Sequence, residues 1–228
     1  MMTLYTAVGS LRFQTGADGK SHPFVWNNHE EYGLSDHELL VWSCLAFQIV
    51  TIHELEKKYT VRQKSSDSIK ELPLSHYLNR LILRGLVVKG SGISGVDALY
   101  RLLGGLFITP IEDRFSVRLF SCIRLLLDGK ITGAEMAKYL KKPACTAIEK
   151  VILELTQTVP ITTAELVTCI DRRKTVRNAE EIMDVLYENP DATSETLVDD
   201  VQLSHTQYPV LQAIGNLYLN KQILFQKI

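Results

Sequence analysis

The sequence predicts a mainly α protein with an N-terminal β-hairpin and a helical C-terminal region. Three observations carry this. One phrase recurs as Val50-Thr51-Ile52-His53-Glu54-Leu55, Ile131-Thr132-Gly133-Ala134-Glu135-Met136 and Ile161-Thr162-Thr163-Ala164-Glu165-Leu166, with a degraded copy at Ala192-Thr193-Ser194-Glu195-Thr196-Leu197. Apolar residues recur at helical spacing, most clearly at Leu74, Tyr77, Leu78, Leu81 and Ile82. The β-branched and aromatic run sits near the N-terminus, from Leu4 to Phe13, with turn chemistry at Gly16-Ala17-Asp18-Gly19 and a return from His22 to Trp26.

The hairpin comes first. A lone two-stranded ribbon is marginal in water, so it should pack on the helices or pair with another chain. Ser35-Asp36-His37-Glu38 then forms a capping box that opens an apolar helix through Leu39, Leu40, Trp42, Leu45 and Phe47. In the recurring phrase the physics is the same. The Thr hydroxyl accepts the amide proton of the third helical residue, and the Glu there reaches back to the Thr amide. In the helix begun by Thr51, Leu55 and Tyr59 face inward and Glu54, Glu56, Lys57 and Lys58 outward. A polar stretch from Thr60 to Glu71 ends at Pro73, and the next helix runs from Leu74 to Arg84. Gly85 supplies a left-handed stop, Leu86-Val87-Val88-Lys89 a strand, and Gly90-Ser91-Gly92-Ile93-Ser94-Gly95 a flexible tip. Val96 to Leu103 reads equally as a helix or a return strand.

Short helix, turn, longer helix is a helix-turn-helix layout. The run Leu78-Asn79-Arg80-Leu81-Ile82-Leu83-Arg84-Gly85-Leu86-Val87-Val88 resembles the end of the recognition helix and the first wing strand of winged helix-turn-helix transcription regulators, and the resemblance covers residues 35 to about 95. It implies a fold of one or more winged-helix modules and a function in binding double-stranded DNA. On the outer face of the third helix, Ser75, His76, Asn79 and Arg80 are the candidate base contacts, since Arg matches guanine O6 and N7 and Asn matches adenine N6 and N7. Lys57, Lys58, Arg62, Lys64 and Lys89 are candidate phosphate contacts that would fix register.

Three segments follow from this reading: 1–110, the hairpin with a winged helix; 111–177, a helical connector; and 178–228, a second winged-helix-like unit. Helices are expected at 115–127, 132–140, 144–156, 162–170, 179–188, 193–201 and 206–220. Thr132, Thr162 and Thr193 are nearly evenly spaced, with Pro160 and Pro190 at matching places, a weak internal repeat of helix pairs. It fits a second unit whose helices start at Ala179, Thr193 and Thr206, or a stack of helix hairpins. The first is favoured because Asn220-Lys221-Gln222-Ile223-Leu224-Phe225 repeats the helix-to-strand exit at Arg84-Gly85-Leu86-Val87.

The 228 residues carry a formal net charge of −1, so no global field draws the chain to nucleic acid. Residues 1–110 hold 11 basic and 10 acidic residues, 111–177 hold 12 and 8, and 178–228 hold 2 and 8. The acidic last segment suits protein contact or solubility better than phosphate. Arg172-Arg173-Lys174 with Arg177 reads as a hydrophilic loop or a phosphate contact. Cys44, Cys122, Cys145 and Cys169 lie far apart, as free thiols in a reducing cytosol would. No signal segment is evident, and the longest apolar runs are too short to span a bilayer, so a cytoplasmic protein with no membrane partner is expected.

The six histidines form no zinc spacing, the glycines at 90–95 no phosphate loop, and Ser75-His76 and Ser204-His205 no nucleophile–base geometry. No enzyme activity, cofactor or metal is expected. The expected function is a DNA-binding transcription regulator, homodimeric on symmetric half-sites. The competing class is an interaction scaffold or assembly subunit, favoured by the near-neutral charge, the acidic C-terminus and the long stretch where a tight turn should stand.

Overall fold

The computed structural model describes residues 1–15, 21–63, 72–111, 122–126, 132–140, 144–171, 179–186 and 207–227. The strands are β1 (Met2–Ala7), β2 (Ser10–Thr15), β3 (Ser21–Asn27), β4 (Glu30–Gly33), β5 (Val50–Thr51), β6 (Val87–Gly92), β7 (Phe107–Pro110), β8 (Ile161–Thr162) and β9 (Ile223–Gln226). The helices are α1 (Asp36–Leu45), α2 (Ile52–Gln63), α3 (Leu74–Leu83), α4 (Gly95–Leu103), α5 (Gly133–Leu140), α6 (Ala147–Thr158), α7 (Thr163–Asp171), α8 (Ala179–Leu186) and α9 (Gln207–Leu219). A short helical run also covers 122–126.

The strands overturn the mainly α, winged-helix expectation. They form three antiparallel three-stranded sheets, ordered β5-β1-β6, β2-β3-β4 and β8-β7-β9, so the class is mixed α and β. The expected single strand from Leu4 to Phe13 breaks at Val8-Gly9. Only its second half pairs locally, with Arg12 opposite Phe24 and Gln14 opposite His22. Its first half joins a different sheet, where Leu4 lies opposite Thr51 on one side and Tyr5 opposite Lys89 on the other. The break is tight: Gly9 has φ +87°, and a Cβ there would meet the Trp26 carbonyl and Val25 at 2.7 Å.

The wing is also absent. Gly90 and Gly92 are the far end of β6, and α4, not a return strand, follows them. Their function is close approach. A Cβ on Gly90 would sit 2.3 Å from the Leu102 amide nitrogen, and one on Gly92 2.3 Å from that of Ala98. Backbone of α4 thus lies directly on β6. Ser94 caps α4 by accepting from the Asp97 amide at 3.1 Å.

One arrangement occurs twice. A leading strand (β1, then β7) lies between a two-residue strand before a helix (β5, β8) and an exit strand after a later helix (β6, β9). The third sheet draws one strand from each of the segments 1–110, 111–177 and 178–228. Both short strands carry the Thr of a capping box. Thr51 and Thr162 donate their amides to the carboxylates of Glu54 and Glu165 at 2.8 Å each. Thr132 does the same with Glu135 at 2.7 Å, and Ser35 with Glu38 at 2.9 Å. Thr146 with Glu149, at 2.7 Å, is a further box. Thr193 lies outside the described residues, as do Gly16–Gly19, Arg172–Lys174, Arg177 and most of 115–127.

The exits of α3 and α9 match in detail. Leu86 N–H bonds the Leu81 carbonyl and Gly85 N–H that of Ile82. Gln222 N–H likewise bonds Leu217 and Lys221 N–H bonds Tyr218, each pair closing a Schellman stop. The left-handed position is Gly85 at φ +68° in the first and Lys221 at φ +58° in the second.

Two cores result. The first holds Val25, Val41, Trp42, Leu45, Leu55, Tyr59 and the inner face of α3, namely Tyr77, Leu78 and Leu81. The second centres on Leu103, Ile108, Ile152, Ile161, Leu166, Ile214 and Phe225, and it takes in Leu4 and Val8 from the first half. At roughly 1.5–3 kcal/mol for each large apolar side chain buried, these clusters dominate the folding energy. Tyr218 joins the halves. Its buried hydroxyl accepts from Phe47 N–H at 3.0 Å and donates to the Ala7 carbonyl at 3.1 Å. The Thr6 hydroxyl stands 3.0 Å from it and 2.8 Å from the Gln48 carbonyl.

Candidate functional site

The periodicity of α3 sets its two faces. Tyr77, Leu78 and Leu81 point into the core, which leaves Ser75, His76, Asn79 and Arg80 exposed on the other side. Pro73 stands at the N-cap without a side-chain hydrogen bond, and the ring of His76 meets that of Tyr77 edge-on at 5.6 Å.

Arg80 differs from its three neighbours, because its guanidinium is engaged from behind. Glu38 on α1 is only 2% exposed, and its Oε1 lies 3.2 Å from Arg80 Nε and 3.4 Å from an Arg84 nitrogen. The other carboxylate oxygen takes the Ser35 amide at 2.9 Å and the Ser35 hydroxyl at 3.0 Å. Arg84 also donates to the Gly33 carbonyl at 2.6 Å and lies over the Tyr32 ring. Burial pushes the Glu38 carboxyl up, but the Ser35 hydrogen bonds and the two arginines outweigh it and hold it below its ordinary value. One carboxylate therefore clamps α3 to α1. Arg80 keeps 53% of its side chain in solvent, so its outer nitrogens remain accessible.

Of the five lysines and arginines expected to hold phosphates, four are described, and none of them lies on α3. Lys57 is exposed on α2 and Lys89 on β6. Lys64 lies outside the described residues. Lys58 and Arg62, one turn apart on α2, face the end of α1 instead. Lys58 Nζ donates to Gln48 Oε1 at 2.6 Å, and Arg62 lies 3.5 Å from Cys44 Sγ. There they line a cleft of about 450 Å³, bordered by Phe47 after α1 and by Leu219 and Lys221 at the end of α9. Burial raises the Cys44 thiol above its usual value, against the pull of Arg62 and Lys58.

Sequence reasoning missed this cleft. It is built from elements whose adjacency is set by Tyr218. The i, i+4 spacing of Lys58 and Arg62 was the available signal, since it places both cations on one helix face.

The helix that corresponds to α3 in the second half is α9. It carries no charged residue, and Tyr208, Gln212 and Asn216 are exposed on its outer side. All four cysteines are free. Among the described residues no cluster of His, Cys, Asp or Glu is placed to hold a metal ion, and no helix is long and apolar enough to cross a membrane. No protein-family model matches the chain, and neither a curated protein nor a solved structure is significantly similar to it.

Proposed function

We propose that the chain is a non-enzymatic DNA-binding regulator whose contact surface is the outer face of α3. The observation that carries this is an exposed polar face whose Ser75, His76 and Asn79 side chains make no hydrogen bond or ion pair with the other described residues. Ser75, His76 and Asn79 are exposed together on a helix that is anchored by Tyr77, Leu78 and Leu81 and clamped through Glu38. Such a helix presents donors and acceptors to base edges at little ordering cost. Lys57 on α2 and Lys89 on β6, both exposed, are the proposed phosphate contacts. Arg80 would then act first as a positioning residue, with its outer nitrogens left for the duplex. The regulator is proposed to be cytoplasmic and, on symmetric half-sites, homodimeric.

A second reading, a protein-interaction scaffold, is favoured by one observation. Exposed apolar residues stand just before α3 and at its end, with Leu72 51% and Leu83 87% exposed.

A fluorescence anisotropy titration with random and selected duplexes separates the two. A regulator binds at about 50 mM salt and weakens steeply by about 200 mM. Asn79→Ala should cost roughly 1–3 kcal/mol on the selected site, with its urea midpoint unchanged. A folded chain that shows no duplex binding at low salt removes the DNA reading and leaves the scaffold.

A further inference from the structure

We propose that the cleft between the two halves binds a small phosphomonoester. The argument rests on the cleft and is independent of any role for α3. Three cationic side chains, Lys58, Arg62 and Lys221, line a space of about 450 Å³, and none of its lining residues is acidic. Among the described residues no carboxylate lies within ion-pair distance of any of the three. Of the two acidic residues on α2, Glu56 lies beside His53, and Glu54, which feels the charge of Lys58 one turn on, has its carboxylate bonded by the amide and hydroxyl of Thr51. Three cations around one concave space, with no carboxylate paired to them among the described residues, repel each other, and an anion relieves that repulsion.

The heads are also held in place. Gln48 holds Lys58 at 2.6 Å and the Cys44 sulfur holds Arg62 at 3.5 Å, both through neutral acceptors that leave the positive charge unspent. A guanidinium fork beside two ammonium groups suits a compact dianion with three oxygens, which is the chemistry of a phosphate ester. The volume falls in the range of small-molecule sites. Phe47 and Leu219 supply an apolar wall for the organic part.

The backbone gives a second, separate indication. Lys221 occupies the left-handed position of its Schellman stop, at φ +58°, where the matching stop in the first half has Gly85. A lysine there carries strain that glycine escapes. Its Nζ lies 5.9 Å from the centre of the Phe47 ring, and Phe47 is itself left-handed at φ +55°. Two strained non-glycine residues thus meet at the mouth of one cleft, as strain collected at a ligand site would.

The test uses the full chain and isothermal titration with inorganic phosphate, a nucleoside monophosphate, a hexose phosphate and citrate. An organic phosphate should bind saturably, and more tightly than inorganic phosphate or citrate. Lys58→Met and Lys221→Gly should each weaken it about tenfold or more, while Lys150→Met, exposed on α6 and outside the cleft lining, should not. Lys221→Gly should at the same time raise the melting temperature, because it removes the strain. Loss of binding in that variant therefore cannot come from unfolding. Absence of saturable binding at millimolar phosphate ester, equal affinity in the Lys221→Gly variant, or preference for citrate would each overturn the proposal. So would displacement of the ester by short duplex DNA through these same residues, since it would make the cleft a backbone contact.

Discussion

Replacing Tyr218 by Phe removes one oxygen from the junction of the halves and keeps the ring. The ring packs at 4.4 Å from Phe225 and 5.4 Å from Phe47, measured between centroids, and these contacts survive the change. The hydroxyl does not. Burial pushes the Tyr218 phenol up from its usual range against its hydrogen bonds, so it is a neutral donor and acceptor at every working pH. Its loss orphans the Phe47 amide proton and takes one donor from the Ala7 carbonyl. The Thr6 hydroxyl still has the Gln48 carbonyl at 2.8 Å. The cost therefore comes mainly from Phe47 N–H. An unsatisfied buried group costs about 1–3 kcal/mol, and the carbonyl, which keeps a second lone pair, adds less, for a total of roughly 2–3 kcal/mol. That is a large share of a typical stability of about 5–15 kcal/mol. Urea unfolding should be followed by tryptophan fluorescence and by far-UV circular dichroism. Trp26 and Trp42 both lie in the first half, so fluorescence reports that half alone, and the two curves should separate in the variant as the halves uncouple. A loss below about 0.5 kcal/mol, within the scatter of an ordinary surface change, would refute the view that this hydroxyl ties the halves together.

Two further perturbations probe other parts of the fold. Gly90→Ala should destabilise by about 3 kcal/mol or more, since the new methyl meets α4 backbone that has no flexible end to move aside. A urea midpoint like that of the parent would mean α4 does not rest on β6 as described. Glu38 has a folded pKa below its ordinary value, so its stabilisation is complete above the unfolded carboxylate pKa and is lost as pH falls through the folded one. Urea midpoints should therefore drop from neutral pH to about pH 3–4, and Glu38→Gln should flatten that drop. An unchanged acid profile in Glu38→Gln would place the acid-labile group elsewhere.

What the sequence made legible is what depends on near neighbours. Thr51, Thr132 and Thr162 cap helices because a hydroxyl and a carboxylate three residues on suffice. Thr146-Ala147-Ile148-Glu149 carried the same signal and could have been read from it. The inner face of α3 and the left-handed Gly85 were equally local. The sheets were not, because their pairings are long-range. Nothing around Leu4 says that its partner is Thr51, and alternation along 4–13 fits a local hairpin as well as two strands in different sheets. Gly90 and Gly92 were read as a flexible tip because glycine marks both a turn and a close approach, and only the position of α4 decides between them. The i, i+4 pair Lys58 and Arg62 was visible as one face. That it faces the end of α9 depends on how the two halves meet.

The central place of β1 and β7 has a kinetic consequence. Each leading strand is made before the strands on both sides of it. Met2 must wait for Gly92, and Pro110 for Ile223, before the ladder closes. During synthesis β1 can be enclosed once residues up to 92 have emerged, while β7 can gain two-residue β8 on one edge once residue 162 is out and keeps its other edge open until residues up to 226 have followed. Arrival of β9 then completes more than its own sheet, since Gly9 N–H bonds the Phe225 carbonyl at 2.8 Å and Asn27 exchanges two hydrogen bonds with the Lys227 backbone. Such long-range closure makes folding slow for a protein with this much helix. It also leaves Phe107 to Pro110 as the segment most exposed to wrong pairing while the ribosome is still at work.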